Sequence, residues 1–269
     1  MPKSTESILP ISTPSSPSTT SPTPLTPAPN LHLTSRPSLL RTEPVVFVGE
    51  FFGTFMFLFL ALAGTQIAIT SATSNPAVAP AENPSQEVSK LIYVSLAFGA
   101  SLAVCAGMWG DVSGGMFNPA VSLALCLTRS MSCIRAVHAM VAQVVAGICA
   151  AFVVEAMLPG TLPSSTKLDA SISVVRGLFL EAFLTAHLVL AILMMPPSPT
   201  KPAMVGLTLF VAEMCGVYYT GGSLNPARSF GPSVVTGFQG YDWVYWVGPG
   251  LGAGLGAGVY GVVEIVKRK

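Results

Sequence analysis

Charged residues are scarce in this sequence. Only 9% of its 269 residues are Asp, Glu, Lys or Arg, whereas 51% are hydrophobic, and the mean hydropathy is +0.64. A soluble domain of this length needs more charge to cover its surface, so the composition predicts an integral membrane protein. The formal net charge of +1 provides no basic field for nucleic acid, and we expect no nucleic-acid partner.

Cysteine is also scarce and dispersed. The sequence has no CxxC pair and no cluster of cysteine with histidine, and four of the five cysteines lie in apolar runs. This pattern favours buried thiols that pack as small hydrophobic groups over a disulfide framework or a zinc site. No cofactor or metal site is indicated, and no grouping of nucleophile, base and orienting residue predicts an enzyme. The five are Cys105, Cys126, Cys133, Cys149 and Cys215.

The first 43 residues lack any apolar period. They contain nine prolines among many Ser and Thr, a composition that cannot build a packed core. We therefore expect a disordered arm at 1–43, a membrane domain at 44–264 and a short basic tail at 265–269. Several Ser and Thr in the arm precede proline, which suits a proline-directed kinase or reflects composition alone.

Long apolar stretches begin at residue 45. A helix needs about 20 mostly apolar residues to cross about 30 Å of hydrocarbon, and six stretches are long enough. Two shorter runs, 118–128 and 225–236, predict re-entrant half-helices, which occur where protein or a wet cavity encloses the backbone. We expect an all-α membrane protein with six transmembrane helices and two re-entrant half-helices. The six stretches lie near 45–69, 91–110, 136–158, 172–195, 204–220 and 243–264.

The distribution of Lys and Arg favours one orientation in the membrane. Six spans place both ends of the chain on one side, and nine basic residues then flank that side. Only Lys90, Lys167 and Arg176 flank the other side, with Arg228 left aside because it lies in a half-helix. The positive-inside rule therefore predicts cytoplasmic N- and C-termini.

The sequence contains an internal repeat. In the first half, Glu50–Thr54 lies in the first span, and Ser113–Ser122, which includes Asn-Pro-Ala, follows the second span. In the second half, Glu181–Thr185 lies in the fourth span, and Thr220–Ser229, with another Asn-Pro-Ala, follows the fifth. The copies are three spans apart, so the halves have opposite orientations in the membrane. Such inverted repeats place their site at the midplane between the halves.

Each of these two Asn-Pro-Ala segments is suited to begin a helix, because Asn is a favoured N-cap and Pro is favoured at the first helical position. Inverted symmetry brings the two N-termini together, each carrying about half a unit of positive charge, so cations are repelled. The asparagine amides offer donors to a passing neutral molecule. The predicted pore motifs are Asn118, Pro119, Ala120, Asn225, Pro226 and Ala227.

These two segments, with the repeated Glu-xxx-Thr and the span count, resemble the major intrinsic protein family, the aquaporins. The resemblance covers residues 45–264. A third Asn-Pro-Ala, at 75–77, lacks the preceding Gly-Gly, and we interpret it as a coincidence in an extracellular loop. The family implies a channel for water and small neutral solutes in the lipid bilayer, assembled as a homotetramer with one pore per protomer. It also favours the plasma membrane, with an internal membrane as the alternative.

The resemblance assigns roles to several polar residues. Glu50 and Glu181 are expected to brace the re-entrant loops, in agreement with the need to hydrogen-bond any irregular backbone at membrane depth. Gln143 is expected to support the same loops. Arg228, directly after the second Asn-Pro-Ala, matches the arginine of the outer selectivity filter, where a guanidinium repels cations. Counting back from the asparagines adds three filter positions: Phe98, Glu213 and Gly222.

Glu213 is a departure from the family pattern, in which water-selective members carry histidine. Its carboxylate is either ionised, pairing with Arg228 and repelling anions, or protonated in a narrow passage. With the small Gly222 beside it, the filter is predicted to admit solutes larger than water, unless a helix offset points Glu213 elsewhere. Ser229 and the pair Tyr245-Trp246 instead resemble the water-channel branch.

Water conduction is the leading hypothesis for the function, with glycerol or hydrogen peroxide as further solutes. Two alternatives stay open. A coupled secondary transporter would also explain inverted repeats and buried glutamates. A non-conducting scaffold would use the Pro-rich arm to bind partners.

Overall fold

The computed structural model describes residues 43–73 and 84–269. Within these ranges the chain forms eight helices and no strand. In chain order they are α1 Glu43–Thr73, α2 Pro84–Ser113, α3 Pro119–Leu127, α4 Cys133–Met157, α5 Val174–Met194, α6 Lys201–Thr220, α7 Pro226–Thr236 and α8 Val244–Lys267.

Six of these helices, α1, α2, α4, α5, α6 and α8, are long and apolar enough to cross a membrane. α3 and α7 have 9 and 11 residues and are too short to span it. The predicted class and element order are therefore confirmed. Because the spans are even in number, α1 begins and α8 ends at one face, here called the terminal face. Residues 1–42 of the N-terminal arm and the third Asn-Pro-Ala, at 75–77, lie outside the described residues, whereas Glu43 is the first residue of α1.

The helix contacts repeat with the predicted inverted symmetry. α1 packs against α2 and α4, and α5 packs against α6 and α8 in the same way. The half-helices are exchanged between the halves: α3 lies against both α4 and α8, and α7 lies against the same two helices. Each half-helix therefore contacts a helix of its own repeat and one of the other repeat, and residues of both halves line the cavity between them.

The α2–α6 contact joins the two repeats through glycine. Gly99 and Gly206 occupy equivalent positions, each 19 residues before its Asn-Pro-Ala asparagine. A Cβ added to Gly99 would lie 2.7 Å from the carbonyl oxygen of Gly206, and one added to Gly206 would collide with the carbonyl oxygen of Gly99. The missing side chains allow the two backbones to approach closely.

α8 presents glycines on two faces. An added Cβ on one face would press against α5, whereas on the other face it would meet no described heavy atom within 4 Å. The small residues of the first face therefore serve packing within the protomer. The first set is Gly248, Gly252 and Gly256, and the second is Gly250, Gly254 and Gly258.

The cysteines differ in part from the sequence prediction. Cys126, near the end of α3, and Cys133, the first residue of α4, form a disulfide with Cα atoms 5.4 Å apart. The expectation of five unpaired thiols is wrong for this pair, because only the tight turn between the two helices brings them together. Cys105, Cys149 and Cys215 are free. Cys105 is buried as expected, whereas Cys149 is half-buried and Cys215 is exposed, so the expectation of burial is wrong for Cys215.

Candidate functional site

The two half-helices begin at capped asparagines. The Oδ1 atom of Asn118 accepts from the backbone N–H of Ala120 at 2.8 Å. Oδ1 of Asn225 accepts from Ala227 N–H at 3.0 Å and from Arg228 N–H at 3.4 Å. These bonds satisfy donors that a helix N-terminus leaves open, and they hold both amide groups in one orientation.

The same amides also bind across the repeat interface. Nδ2 of Asn118 donates to the carbonyl oxygen of Leu224, and Nδ2 of Asn225 donates to that of Phe117, both at 2.8 Å. Each amide nitrogen carries two hydrogens, so one N–H of each asparagine is left for the space between the helices. Asn118 and Asn225 line one common cavity.

The loops before the half-helices adopt a matching, strained backbone. Phe117 and Leu224, each directly before an asparagine, have φ angles of 48° and 49°. Non-glycine residues rarely adopt this left-handed region, and they persist there only where surrounding contacts hold them. Gly115 and Gly222, two residues earlier, have φ angles of 66° and 62°, which glycine accepts without cost.

Glu50 supplies those contacts in the first half. It is fully buried, and its carboxylate accepts from the N–H of Met116 at 3.2 Å and of Phe117 at 2.9 Å. It also accepts from Ser113 Oγ at 2.6 Å and from Gln143 Nε2 at 2.7 Å. The N–H groups of an irregular loop at membrane depth thus find a charged acceptor, and four donors share one carboxylate.

Glu181 makes the equivalent bonds in the second half. It accepts from Thr220 Oγ1 at 2.6 Å, Ser223 N–H at 2.9 Å and Leu224 N–H at 2.8 Å. Here the hydroxyl of Tyr245 donates to the carbonyl of Thr220 at 3.0 Å, a contact that the sequence does not predict. Its signal in the sequence was weak: a buried tyrosine hydroxyl needs a partner, but the sequence does not say which.

Arg228 lies at the end of the cavity that is farther from the terminal face. Its Nη1 donates to the carbonyl of Ser164 at 2.7 Å, and Nη2 donates to that of Gly221 at 3.1 Å. The guanidinium carbon lies 4.6 Å from the ring centroid of Phe98, a distance that suits a cation–π contact. The side chain is 3% exposed, and Nε has no hydrogen-bond partner.

Glu213 lies close to Gly222 on the wall of the same cavity. It is 1% exposed, and neither carboxyl oxygen has a hydrogen-bond partner. A Cβ added to Gly222 would lie 2.8 Å from Cδ of Glu213 and would collide with Oε2. The carboxyl group of Glu213 therefore fills the space that a side chain at position 222 would need.

One cavity connects these groups. Its lining includes Phe98, Asn118, Glu213, Asn225 and Arg228. A wider vestibule on the side away from the terminal face shares Arg228 with it and is also lined by Lys90 and Lys167. A third cavity, lined by Gly110 and Pro202 among others, opens on the other side of the half-helices. The two motif asparagines and the filter candidates Phe98, Glu213 and Arg228 thus line one cavity, whereas Gly222 is not part of its lining.

Comparison with known proteins agrees with this architecture. The family model described as "Major intrinsic protein" matches residues 41–260. The chain belongs to the major intrinsic protein family. Members of this family are membrane channels rather than enzymes, and the chain is a multi-pass membrane protein.

Several curated relatives are fungal aquaporins. Aquaporin-2 of Botryotinia fuckeliana is 47% identical over 233 residues, which cover 84% of this chain and 61% of that protein. Aquaporin-7 of the same fungus is 46% identical, covering 88% of this chain and 52% of that protein. Aquaporin-1 of Gibberella zeae is 42% identical, covering 85% and 72%. The chain thus spans about half to three fifths of the first two relatives.

The fold is also similar to a solved structure. The X-ray structure of the aquaglyceroporin from Plasmodium falciparum superposes with a TM-score of 0.66, covering 81% of this chain and 94% of that one. The sequence identity is 22%, so this similarity supports the fold alone.

Proposed function

We propose that this protein is a passive transmembrane channel for water. The observation that carries the proposal is the meeting of Asn118 and Asn225. Each amide is locked by one bond across the repeat interface and by its own helix cap, and each keeps one N–H for the common cavity. A water molecule that accepts from both amides turns its own hydrogens away along the pore.

This arrangement excludes protons and cations for two reasons. A water held by both amides cannot pass a proton along a continuous hydrogen-bonded chain. The N-termini of α3 and α7 also face the same cavity, and the partial positive charge of each disfavours a cation.

Arg228 adds a second barrier in our proposal. It is anchored by two carbonyl groups and stacked beside Phe98, so its charge stays at the wall of the cavity. A fixed guanidinium repels cations and donates hydrogen bonds to neutral oxygen atoms. The ring of Phe98 limits the width of the pore at the level of Arg228. We assign these residues, with Glu213 and Gly222, to the selectivity filter.

The buried glutamates favour a channel over a coupled transporter. Glu50 and Glu181 each accept two backbone N–H groups of a re-entrant loop, in addition to side-chain donors. Their carboxylate oxygens already accept hydrogen bonds from the re-entrant loops, so neither carboxylate offers a free ligand for a coupling ion.

Several further features belong to the same proposal. The terminal face is cytoplasmic, as the positive-inside rule predicts, and the opposite vestibule faces the exterior. The channel domain at 44–264 assembles as a homotetramer, in the plasma membrane, with the arm at 1–43 and the tail at 265–269 in the cytoplasm. The channel conducts small neutral solutes in addition to water.

The test is reconstitution of the purified protein in liposomes. An impermeant osmolyte is added in a stopped-flow instrument, and shrinkage is compared with that of empty vesicles. We expect much faster water efflux without a change in the proton leak reported by an internal pH dye. Efflux equal to that of empty vesicles would refute the channel, and accelerated proton leak would refute the assigned barrier.

A further inference from the structure

The turn between α3 and α4 brings two cysteines together at the terminal face. Cys126 lies in the last turn of α3, and Cys133 is the first residue of α4. The span α4 starts at the terminal face because α1 leaves that face and α2 returns to it. The Cα atoms of the two cysteines are 5.4 Å apart, a usual separation for a disulfide, and their sulfur atoms are bonded. The pair therefore joins one end of a half-helix to a membrane span.

Backbone hydrogen bonds form this turn without help from the sulfur atoms. The N–H of Arg129 donates to the carbonyl of Cys126 at 3.0 Å, and the N–H of Met131 donates to that of Leu125 at 3.1 Å. Arg129 has a φ angle of 59°, which a non-glycine residue keeps only where its surroundings hold it. Because these bonds do not involve sulfur, we expect the two thiols to stay close together after reduction and to be able to pair again.

The two cysteines differ in exposure. Cys133 is exposed, whereas Cys126 is half-buried. A small oxidant or an incoming thiolate therefore reaches the sulfur of Cys133 first. Cys133 also begins α4, and the partial positive charge of a helix N-terminus stabilises a thiolate. These two properties make Cys133 the attacking member of the pair and Cys126 the resolving one.

The compartment decides whether this bond is permanent. Cytosolic thiols reduce exposed disulfides, and the disulfides that form in the cytosol are usually transient or redox-sensing. The proposed orientation places the terminal face in the cytoplasm. The segment that contains the turn also carries Arg129 and Arg135, two of the basic residues on which that orientation rests. The exposed sulfur of Cys133 is then open to cytosolic thiols.

We propose that Cys126 and Cys133 form a reversible redox latch on the cytoplasmic side, closed by hydrogen peroxide and opened by cytosolic thiols. The Cys133 thiolate attacks one oxygen of peroxide, which gives a sulfenic acid and hydroxide, and the hydroxide takes up the proton that Cys133 had released. The Cys126 thiol then displaces the remaining oxygen as water and forms the S–S bond. Two thiols thus lose two electrons, and peroxide becomes two water molecules.

Opening of the latch reverses the oxidation by exchange. A glutathione thiolate attacks the exposed sulfur of Cys133, and Cys126 leaves as a thiolate and is protonated. A second glutathione releases Cys133, and the two glutathiones leave as their own disulfide. The proposal rests on the cytoplasmic orientation given with the proposed function, and it does not depend on which solutes the channel conducts.

The latch acts on α3, a helix of nine residues that begins after Asn118. Val121 and Leu125 of this helix line the cavity that opens towards the terminal face. In the closed state α3 is fixed covalently to α4, whereas in the open state hydrogen bonds and packing alone hold its end. The closed ring also restricts the unfolded chain, so oxidation stabilises the folded protein.

The first experiment follows the bond itself. Purified protein in detergent is treated with hydrogen peroxide and then with an excess of reduced glutathione, and free thiols are blocked with a maleimide. Trypsin cuts after Arg129, between the two cysteines, so the peptide 130–135 stays attached to the preceding peptide only through a disulfide. We expect linked peptides after peroxide and separate, labelled peptides after glutathione, over repeated cycles. A link that survives glutathione, or that never forms, overturns the proposal.

Thermal unfolding tests the effect on stability. We expect peroxide to raise the unfolding temperature by about 5 °C. Cys133→Ser and Cys126→Ser should behave like the reduced protein under both conditions. Cys215→Ser removes an exposed thiol that is not part of the pair, and it serves as the matched control that keeps the shift. No shift in the unsubstituted protein, or a shift that persists in Cys133→Ser, overturns the latch.

A labelling experiment separates this inference from the channel function. In intact cells, a membrane-impermeant maleimide should reach Cys133 only after permeabilisation, as read from the peptide 130–135. Labelling of this peptide from outside overturns the latch, even if the protein conducts water in liposomes. Absence of water flux with the expected thiol chemistry refutes the channel instead and supports the latch as an independent property.

Discussion

Asn118 and Asn225 hold each other's loops in place. Each amide donates at 2.8 Å to the carbonyl of the residue that precedes the other asparagine. Those residues, Leu224 and Phe117, are in turn held through their N–H groups by Glu181 and Glu50. Each glutamate is therefore linked, through the N–H and carbonyl groups of a single residue, to the asparagine of the opposite repeat.

This linkage predicts the effect of Glu181→Gln. Glutamine has one acceptor oxygen, and its NH₂ group faces a backbone donor, which leaves that donor unsatisfied. We expect the free energy of unfolding to fall by about 1–3 kcal/mol, together with a loss of water flux per molecule. Thermal unfolding in detergent and liposome flux measure the two effects.

The control for that prediction is Glu264→Gln, which removes an exposed ion pair worth less than about 1 kcal/mol. If Glu181→Gln retains both stability and flux, the carboxylate is not needed as a brace.

Arg228→Ala is expected to broaden selectivity. It removes the fixed charge and opens space beside Phe98, so the ratio of glycerol to water flux should rise about tenfold or more, with measurable cation conductance. Arg176→Ala is the matched control, because Arg176 is exposed near the start of α5, towards the same face of the membrane. A solute and ion profile that equals the unsubstituted protein would exclude Arg228 from the filter.

The two glycine faces of α8 give opposite predictions. In Gly252→Ala the new Cβ would lie 2.6 Å from Cβ of Thr185, so we expect a loss of stability of about 1–3 kcal/mol. In Gly254→Ala the Cβ meets no described atom within 4 Å, and the higher helix propensity of alanine should add about 0.5–1 kcal/mol.

Thermal unfolding in detergent compares these two glycine variants, and size-exclusion chromatography follows their oligomer. If Gly254→Ala instead weakens the oligomer, that face of α8 lies at a subunit interface.

Glu213→His is expected to narrow the filter towards water. Imidazole is bulkier near the backbone than the flexible carboxyl group and offers one acceptor at most when neutral. The glycerol-to-water ratio should fall at least threefold, while water flux stays within about a factor of two. A constant ratio would mean that Glu213 does not limit the passage of solutes.

Deletion of residues 2–40 is expected to leave the intrinsic permeability unchanged. The arm precedes α1, and the Pro, Ser and Thr composition suits regulation or sorting rather than the pore. Water flux is divided by the number of channels per vesicle, counted by quantitative blotting. Loss of flux per channel would contradict this prediction.

The sequence was sufficient to predict the architecture because membrane insertion depends on local composition. Six apolar stretches, two short runs and a repeated Asn-Pro-Ala with opposite orientation predicted all eight helices, within several residues at most ends. The helices extend beyond the apolar windows, as at Glu43 in α1, because the turns outside the hydrocarbon stay helical with polar residues.

Contacts between distant residues were not accessible from local patterns. The pairing of Cys126 with Cys133 depends on a tight turn, and the bond from Tyr245 to Thr220 depends on how α8 packs against α6 and the loop. Neither has a periodic signal. In contrast, Glu50 and Glu181 were predictable as loop braces, because a carboxylate at membrane depth needs donors and the irregular loops provide them.

The sequence by itself determined the number of spans, their inverted order and the residue types at the pore, since these follow from hydropathy and helix capping along the chain. The tertiary structure decided which polar groups of the pore find hydrogen-bond partners. It paired the asparagine amides with carbonyls of the opposite repeat and anchored Arg228, and it left the carboxyl oxygens of Glu213 buried beside Gly222 without a hydrogen-bond partner. The two amide bonds, each between residues more than 100 positions apart, form only once both repeats have packed together.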